Sequence, residues 1–280
     1  IFTASGFRSP GSTNAQALRT ASKPLPAITT AAAAAAVPAL ESLPDSDYVI
    51  YLDFDGETVT GSPLWNNDDL NKNEAVRVPR STDEEWVRLV WRRVVEDFAP
   101  FDINVTTDEA VFNKKGQDVT KRLHVIITST RDVAPDAGGV AFTNSFRLDT
   151  PIVWVFNDTE YTCASTISHE AGHAFGLSHD GEEPLLEYYP GHNESYTPGW
   201  GAIMGAPFGN LPYDEVDQWS KGEYADPTNQ EDDLAIIGSS RNGFGFKEDD
   251  HPDSFNQAGL GTFERPAENQ IKASGLISTA

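Results

Sequence analysis

The segment from residue 169 to residue 179 constrains this chain most, because it sets three imidazoles at fixed spacing around a helix end. His169 and His173 are four residues apart, which places them one turn apart on the same side of an α-helix. Glu170 follows the first of them directly. Gly176 can adopt a positive φ, which ends a helix and turns the chain so that His179 reaches the other two histidines. The spacing therefore predicts three converging imidazoles at the carboxyl end of one helix.

Imidazoles in this arrangement are typical metal ligands. Three neutral nitrogen ligands that leave a fourth position open are characteristic of a catalytic zinc ion rather than a structural one. The alternative is an ordinary helix with incidental histidines, which needs a glycine and a third histidine to fall at the required positions by chance. The chain has only 22 glycines and 6 histidines among 280 residues. We therefore expect Zn²⁺ to be bound by His169, His173 and His179.

The same residues resemble the HExxHxxGxxH signature of the metzincin zinc proteases, which also carry a methionine turn downstream. The only methionine of the chain, Met204, lies 25 residues after His179 in the segment 200–205. The resemblance implies that Met204 lies beneath the metal. It also implies that the chain is a zinc endopeptidase acting on protein or peptide substrates, with Glu170 as the general base for a zinc-activated water.

The residue after the third histidine, Asp180, resembles the adamalysin (reprolysin) pattern within the metzincins. The resemblance implies that Asp180 lies behind the ligands and orients the methionine turn or a histidine. Adamalysins usually contain disulfides, which a chain with the single cysteine Cys163 cannot form internally. Ala206 stands where astacins and serralysins have a tyrosine. Residues 218–224 and 230–237 are similar to bacterial secreted metzincins with reprolysin-like catalytic domains.

Alternating and helical hydrophobic patterns predict the rest of the fold. Strands are expected at residues 48–54, 103–106, 123–128, 138–146 and 152–156, and helices at residues 82–98, 161–177, 213–221 and 229–237. The order of these elements predicts an α+β (mixed α/β) fold in which helices pack on a mixed sheet. The metzincin resemblance implies that the sheet is twisted and that zinc lies in a cleft above a subdomain containing the methionine turn.

One predicted strand is a candidate for substrate binding. By resemblance, residues 138–146 supply the edge strand beside the cleft. We expect an extended substrate to pair with Gly139, Val140, Ala141 and Phe142 by strand addition. An edge strand with only a structural role is the alternative.

Composition divides the chain into three parts. Residues 1–45 are rich in Ser, Thr, Ala and Pro and are expected to be a tail, a linker or the remnant of a pro-segment. Residues 46–240 are the expected catalytic domain, and residues 241–280 an acidic linker with the start of a further module.

The acidic run 248–253 is either a Ca²⁺ site or a solvated loop. Asp53 and Asp55, at the end of the first predicted strand, form either a turn or a Ca²⁺ site.

The charge of the chain limits its partners. Its 43 acidic and 20 basic residues give a net charge of −23, which repels phosphate backbones, so no nucleic-acid partner is expected. No apolar run of about 18 residues is present, so no membrane span is expected. We expect a secreted, extracellular bacterial protein that is monomeric. The alternative function is a binding or adhesion module that keeps the metzincin scaffold without turnover.

Overall fold

The fold is taken from a computed structural model of the chain. The structure describes residues 4–8, 36–57, 59, 65, 81–115, 118–131, 133–148, 151–192, 199–207, 216–248, 264–267 and 270–272. Within these ranges, no helix combines the length and the apolar character needed to cross a membrane.

A six-stranded sheet is the central element of the fold. Its strands are β1 (Ala4–Arg8), β2 (Val49–Asp53), β3 (Asn104–Thr106), β4 (Arg122–Ile127), β5 (Ala137–Phe142) and β6 (Ile152–Val155). Their order across the sheet is β1-β5-β6-β4-β2-β3. The four strands from β6 to β3 are parallel, whereas β5 is antiparallel to β6 and β1 is antiparallel to β5. The prediction of a mixed α/β fold is confirmed, with a mostly parallel sheet.

Four α-helices occur in the described part of the chain: α1 (Glu84–Asp97), α2 (Glu109–Lys115), α3 (Glu160–Phe175) and α4 (Asp233–Ile237). The helix expected from residue 82 begins slightly later, because the carboxylate of Asp83 accepts the N–H of Trp86 at 3.0 Å and caps the helix there. The sequence pattern predicted no helix between β3 and β4. The structure has α2 and a short 3₁₀ turn (Val119–Lys121) in that position.

The main hydrophobic core lies between the sheet and the helices α1 and α3. Along β4, Leu123, Val125 and Ile127 belong to this core, whereas His124 and Ile126 contact residues on the opposite face. The alternation is that of a strand with side chains on both faces. From α1, the core includes Val87, Val90 and Val94, which are three and four residues apart and so share one side of the helix.

The residues that precede β2 also belong to the folded structure. Oδ1 of Asn104, in β3, accepts the backbone N–H groups of Ser42 and Leu43, each at 3.0 Å. These bonds hold the segment before β2 along the outer side of β3. At the opposite end of the sheet, residues 4–8 form β1. Residues from the expected tail therefore contact both ends of the sheet.

The helix predicted at residues 213–221 is wrong over residues 216–218. These residues form strand β8 (Val216–Gln218), which pairs in parallel with β7 (Trp200–Ala202). The indole N–H of Trp200 donates to Oε1 of Gln218 at 2.9 Å. Pairing with a strand distant in sequence thus overrides the local helical pattern. Residues 213–215 lie outside the described residues.

The helix predicted at residues 229–237 is shorter than expected. It begins at Asp233, because the carboxylate of Asp232 accepts the N–H of Ala235 at 3.0 Å and caps α4 at that point. Farther along, β9 (Glu264–Ala267) and β10 (Gln270–Lys272) form a separate antiparallel pair. The candidate Ca²⁺ run at residues 248–253 lies outside the described residues except for Glu248.

Candidate metal centre

The candidate site is built at the carboxyl end of α3. The N–H groups of Gly176 and Leu177 both donate to the carbonyl of Gly172 at 3.0 Å, which closes the helix in the Schellman manner. Gly176 has a φ of 116°. A Cβ at this position would lie 2.5 Å from Oδ1 of Asn144, so both the backbone conformation and the space require glycine. The chain then turns back and brings His179 to the end of α3.

Backbone carbonyls orient the rings of the two histidines on α3. Nδ1 of His169 lies 2.8 Å from the carbonyl oxygen of Ile203, and Nδ1 of His173 lies 2.9 Å from that of Leu177. Because a carbonyl oxygen only accepts, the partners assign the proton of each ring to Nδ1. Each Nε2 then holds a lone pair. Both rings thus present Nε2 as a ligand atom.

The third histidine is oriented by a carboxylate. Nδ1 of His179 lies 3.2 Å from Oε1 of Glu187, and the ring of Tyr188 packs against His179 with centroids 4.4 Å apart. Nε2 of His179 lies 2.9 Å from Nε2 of His173. Together with a ring nitrogen of His169, these atoms lie within 4.8 Å of one another. The structure therefore brings the three predicted ligands together.

Burial keeps these imidazoles neutral. The pKa of His169 lies well below its ordinary value of 6.5 because the ring is fully buried, and charge on the other two histidines would lower it further. Burial and the neighbouring His179 lower the pKa of His173 to about 3. Burial also lowers the pKa of His179, against the opposing effect of the Glu187 carboxylate. Three neutral rings whose ligand nitrogens lie within 4.8 Å of one another fit a zinc ion.

Glu170 is fully buried beside this cluster and lies against β5. A Cβ at Gly139 would be 2.7 Å from Cγ and 2.9 Å from Oε1 of Glu170, and 2.6 Å from Cγ2 of Thr166. Only glycine at this position of β5 allows α3 to approach so closely. The structure thus places the predicted general base next to the predicted substrate strand.

The remaining residues of the predicted substrate strand divide between the two faces of the sheet. Ala141 belongs to the main core, whereas Val140 and Phe142 pack in the cluster on the opposite face. The expectation that these residues form an open edge is not met, because β1 pairs with β5 on the side away from β6. This pairing comes from a segment with no strand signal of its own, far from β5 in sequence.

Met204 is fully buried beneath α3. A Cβ at Gly172 would lie 2.7 Å from Sδ of Met204, so the glycine on the helix makes room for the thioether. The carbonyl of Met204 accepts the backbone N–H of Asp180 at 2.9 Å, and the carbonyl of Ile203 is the one that orients His169. The segment around Met204 is therefore bonded to the first histidine and to the residue after the third.

The side chain of Asp180 is buried in a hydrogen-bond network. Its Oδ2 accepts the hydroxyl of Ser220 at 2.7 Å, and the backbone N–H of Ser220 donates to Oδ2 of Asp233 at 2.9 Å. Burial raises the pKa of Asp180 to about 6 and that of Asp233 to about 8. Within the described residues, Asp180 contributes no atom to the group of ligand nitrogens. It links the third histidine to the start of α4.

The residues that orient the histidines were missed by the sequence analysis. Glu187 and Tyr188 lie in a loop without periodicity, and the only signal there is an acidic run followed by two tyrosines. The carbonyls of Leu177 and Ile203 leave no trace in sequence, because every residue has a carbonyl. Their roles depend on where the chain places them.

A second group of possible ligand atoms lies on the opposite face of the sheet. Nε2 of His124 is 2.9 Å from Oδ2 of Asp53, and Glu57 completes a group whose ligand atoms lie within 4.8 Å of one another. Oδ1 of Asp53 accepts the N–H groups of Asp55 and Gly56 at 3.2 and 3.3 Å, so β2 ends in a turn stabilised by this side chain. Asp55 is not part of the group.

Comparison with known proteins adds no relative. No family model matches the chain, and no curated protein is significantly similar to it. The function is therefore argued from the site residues and their geometry.

Proposed function

We propose that the chain is a secreted, zinc-dependent endopeptidase of the metzincin type. The observation that carries the proposal is the convergence of imidazole nitrogens from His169, His173 and His179 beside the buried Glu170. The positive-φ glycine that ends α3 and the burial of Met204 beneath the helix support the same assignment. In this proposal the metal lies in a cleft above the segment that contains Met204.

The contacts of the site residues indicate a role for each of them. The three histidines would hold Zn²⁺ through Nε2, since their Nδ1 atoms are engaged by Ile203, Leu177 and Glu187. Zn²⁺ bound at such a site supplies polarisation of a carbonyl group and acidification of water. Glu170 takes a proton from the attacking water and delivers it to the amine of the departing product. Its burial strengthens these electrostatic effects because bulk water is excluded.

The peptide substrate has to reach Glu170 in an extended conformation. The backbone of β5 offers N–H and C=O groups in a row, and Gly139 brings that row next to the Glu170 carboxylate. Pairing with β5 would hold the scissile carbonyl near the histidines and reduce the entropy lost in the reaction. The proposed substrates are therefore proteins or peptides with an accessible extended stretch.

The test compares three proteins on a denatured protein substrate, with zinc content measured for each by mass spectrometry. These are the wild type, Glu170→Gln, and the matched control Glu160→Gln in the first turn of the same helix. We expect the wild type and the control to cleave. Glu170→Gln should keep its zinc but cleave about 10³-fold more slowly, since a positioned proton-transfer group contributes about 10²–10⁴-fold.

Two outcomes would contradict the proposal. One is Glu170→Gln cleaving at the wild-type rate. The other is a zinc-loaded wild-type protein that cleaves no protein or peptide substrate. The second outcome would favour a binding or adhesion module on the same scaffold.

A further inference from the structure

The group formed by Asp53, Glu57 and His124, here called the sheet-face cluster, lies on the face of the sheet away from α3. β2 and β4 are parallel neighbours, and they carry Asp53 and His124 respectively. Leu52 belongs to the main core between the sheet and the helices, so the residue next to it in β2 is directed to the other face. The sheet-face cluster is therefore separate from the three-histidine centre.

The ligand atoms of the sheet-face cluster are close enough to share one ion. Nε2 of His124 lies 2.9 Å from Oδ2 of Asp53, and Glu57 completes a group whose three ligand atoms lie within 4.8 Å of one another. Two atoms bound to one ion at about 2.1 Å and at right angles, as in octahedral coordination, are about 3.0 Å apart. An ordinary hydrogen bond has the same length, so the surroundings of the pair decide between the two.

Neighbouring groups hold the two buried ligands in place. Oδ1 of Asp53 accepts two backbone N–H groups of the turn that follows β2, at 3.2 and 3.3 Å, which leaves Oδ2 to face the imidazole. The ring of His124 packs on those of Tyr51 and Phe112, with centroids 5.3 Å apart in each case. The side chains of Asp53 and His124 are only 2% and 14% exposed. Such preorganised ligands lose little conformational freedom when they bind a metal.

A cavity with an excess of acidic side chains adjoins the cluster. It has a volume of about 220 Å³ and is lined by Glu57, His124 and residues of α2, which include Glu109. Arg122 also lines the cavity, but its guanidinium carbon lies over the ring of Phe112, 4.6 Å from the centroid. The carboxylates of the cluster and of α2 thus outnumber the single guanidinium, which favours a cation. The cavity also has room for several water molecules, at about 30 Å³ each, to complete the coordination of an ion.

The mixture of donor atoms indicates the class of metal. Ca²⁺ takes about six to eight ligands, all of them oxygen, whereas this cluster includes an imidazole nitrogen. Imidazole together with carboxylates suits Mn²⁺ and Zn²⁺. Asp55, the other residue of the expected Ca²⁺ site, is exposed and lies outside the group. The donor set therefore fits a transition metal better than calcium.

We infer that Asp53, Glu57 and His124 bind a second divalent transition-metal ion, Mn²⁺ or Zn²⁺, independently of the three-histidine centre. The ion takes the position of the hydrogen between Nε2 of His124 and Oδ2 of Asp53, and that proton passes to water. The carboxylate of Glu57 is the third protein ligand. The bound ion joins β2, β4 and the chain that follows β2, and it goes beyond the proposed function because it takes no part in peptide cleavage.

Titration of the full chain with Mn²⁺ tests this inference. The protein is stripped with a chelator and given one equivalent of Zn²⁺ for the three-histidine centre. Mn²⁺ is then added while the electron paramagnetic resonance signal of free Mn²⁺ is recorded. Because Mn²⁺ binds nitrogen and oxygen ligands more weakly than Zn²⁺ does, it leaves the zinc in place. We expect the wild type to bind one equivalent of Mn²⁺.

Three separate variants each remove one ligand of the cluster: Asp53→Asn, Glu57→Gln and His124→Phe. Asp53→Asn keeps an oxygen for the turn after β2, and His124→Phe keeps a ring beside Tyr51. Each variant should raise the Kd for Mn²⁺ about 100-fold or more and still hold its equivalent of zinc, which also reports that the protein is folded. The matched control Asp55→Asn, in the same turn, should keep the wild-type Kd.

A second measurement uses Zn²⁺ and Ca²⁺ in equilibrium dialysis, with metal counted by mass spectrometry. We expect the wild type to bind two equivalents of Zn²⁺ and each cluster variant to bind one, and we expect Ca²⁺ not to displace Mn²⁺. No Mn²⁺ bound beyond the zinc, or equal Kd for Mn²⁺ in the wild type and Glu57→Gln, would overturn the inference and leave the pair as a hydrogen bond. Ca²⁺ binding that requires Asp53 but not His124 would overturn the class of metal. Neither measurement involves cleavage, so the proposed function is tested separately.

Discussion

Asp233 provides the sharpest test of the electrostatics around the site. The residue has no exposed surface, and its Oδ2 accepts the backbone N–H of Ser220 at 2.9 Å. Burial raises its pKa from 3.8 to about 8, and the nearby Asp180 and Glu231 raise it as well. Asp233→Asn keeps the shape and an oxygen acceptor but removes the titration.

The sign of the effect follows from the direction of the shift. The pKa of Asp233 is higher in the folded state than in the unfolded state, so the folded protein binds this proton more tightly. Below pH 3.8 the carboxyl group is protonated in both states and carries no penalty. As the pH rises from 3.8 toward about 8, the contribution of Asp233 lowers the free energy of unfolding by about 1.4 kcal/mol per pH unit. The total loss is about 5 kcal/mol.

Urea denaturation followed by tryptophan fluorescence measures this loss. Wild type and Asp233→Asn are compared from about pH 4 to about pH 8, with a chelator present so that metal binding does not contribute. The free energy of unfolding of the variant, relative to wild type, should rise by about 5 kcal/mol over this range. The exposed Asp158→Asn serves as a control. A difference between Asp233→Asn and wild type that does not change with pH would refute the reasoning.

Three further predictions concern the site and its support. Gly139→Ala places a methyl group 2.7 Å from Cγ of Glu170, so kcat/KM should fall about 10²-fold while zinc content is unchanged; equal activity would contradict the tight contact. Glu187→Gln removes the negative charge that faces Nδ1 of His179, and it should reduce zinc affinity about 10-fold in a chelator competition; unchanged zinc affinity would show that Glu187 has no role in ligation. Asn242→Ala removes the donor shared by three backbone carbonyls at the ends of α3 and α4, and it should lower the free energy of unfolding in urea by about 2 kcal/mol; an unchanged midpoint would argue against a structural role.

Local patterns were enough to predict the parts of the site that lie within one segment. The ligand spacing of His169, His173 and His179 and the helix-ending Gly176 follow from the geometry of a single helix and its terminus. The five predicted strands and three of the four predicted helices correspond to elements of the structure for the same reason. Helical and strand periodicities are properties of the backbone over a few residues, so a single sequence displays them.

Local patterns failed where a partner distant in sequence decides the conformation. Residues 216–218 are a strand because β7 lies beside them. Residues 4–8 are a strand because β5 offers them unpaired backbone groups. No periodicity in either segment could show this, since the cause lies in another part of the chain.

The sequence by itself therefore determined which side chains can bind a metal and the order of most elements that carry them. The tertiary structure decided how those side chains are oriented and what has access to them. The carbonyl of Ile203 and the carboxylate of Glu187 orient two of the imidazoles, and β1 covers the strand proposed for the substrate. These contacts join residues far apart in the chain. Local backbone preferences act over a few residues and cannot specify such contacts. The partners therefore meet only when the whole fold packs.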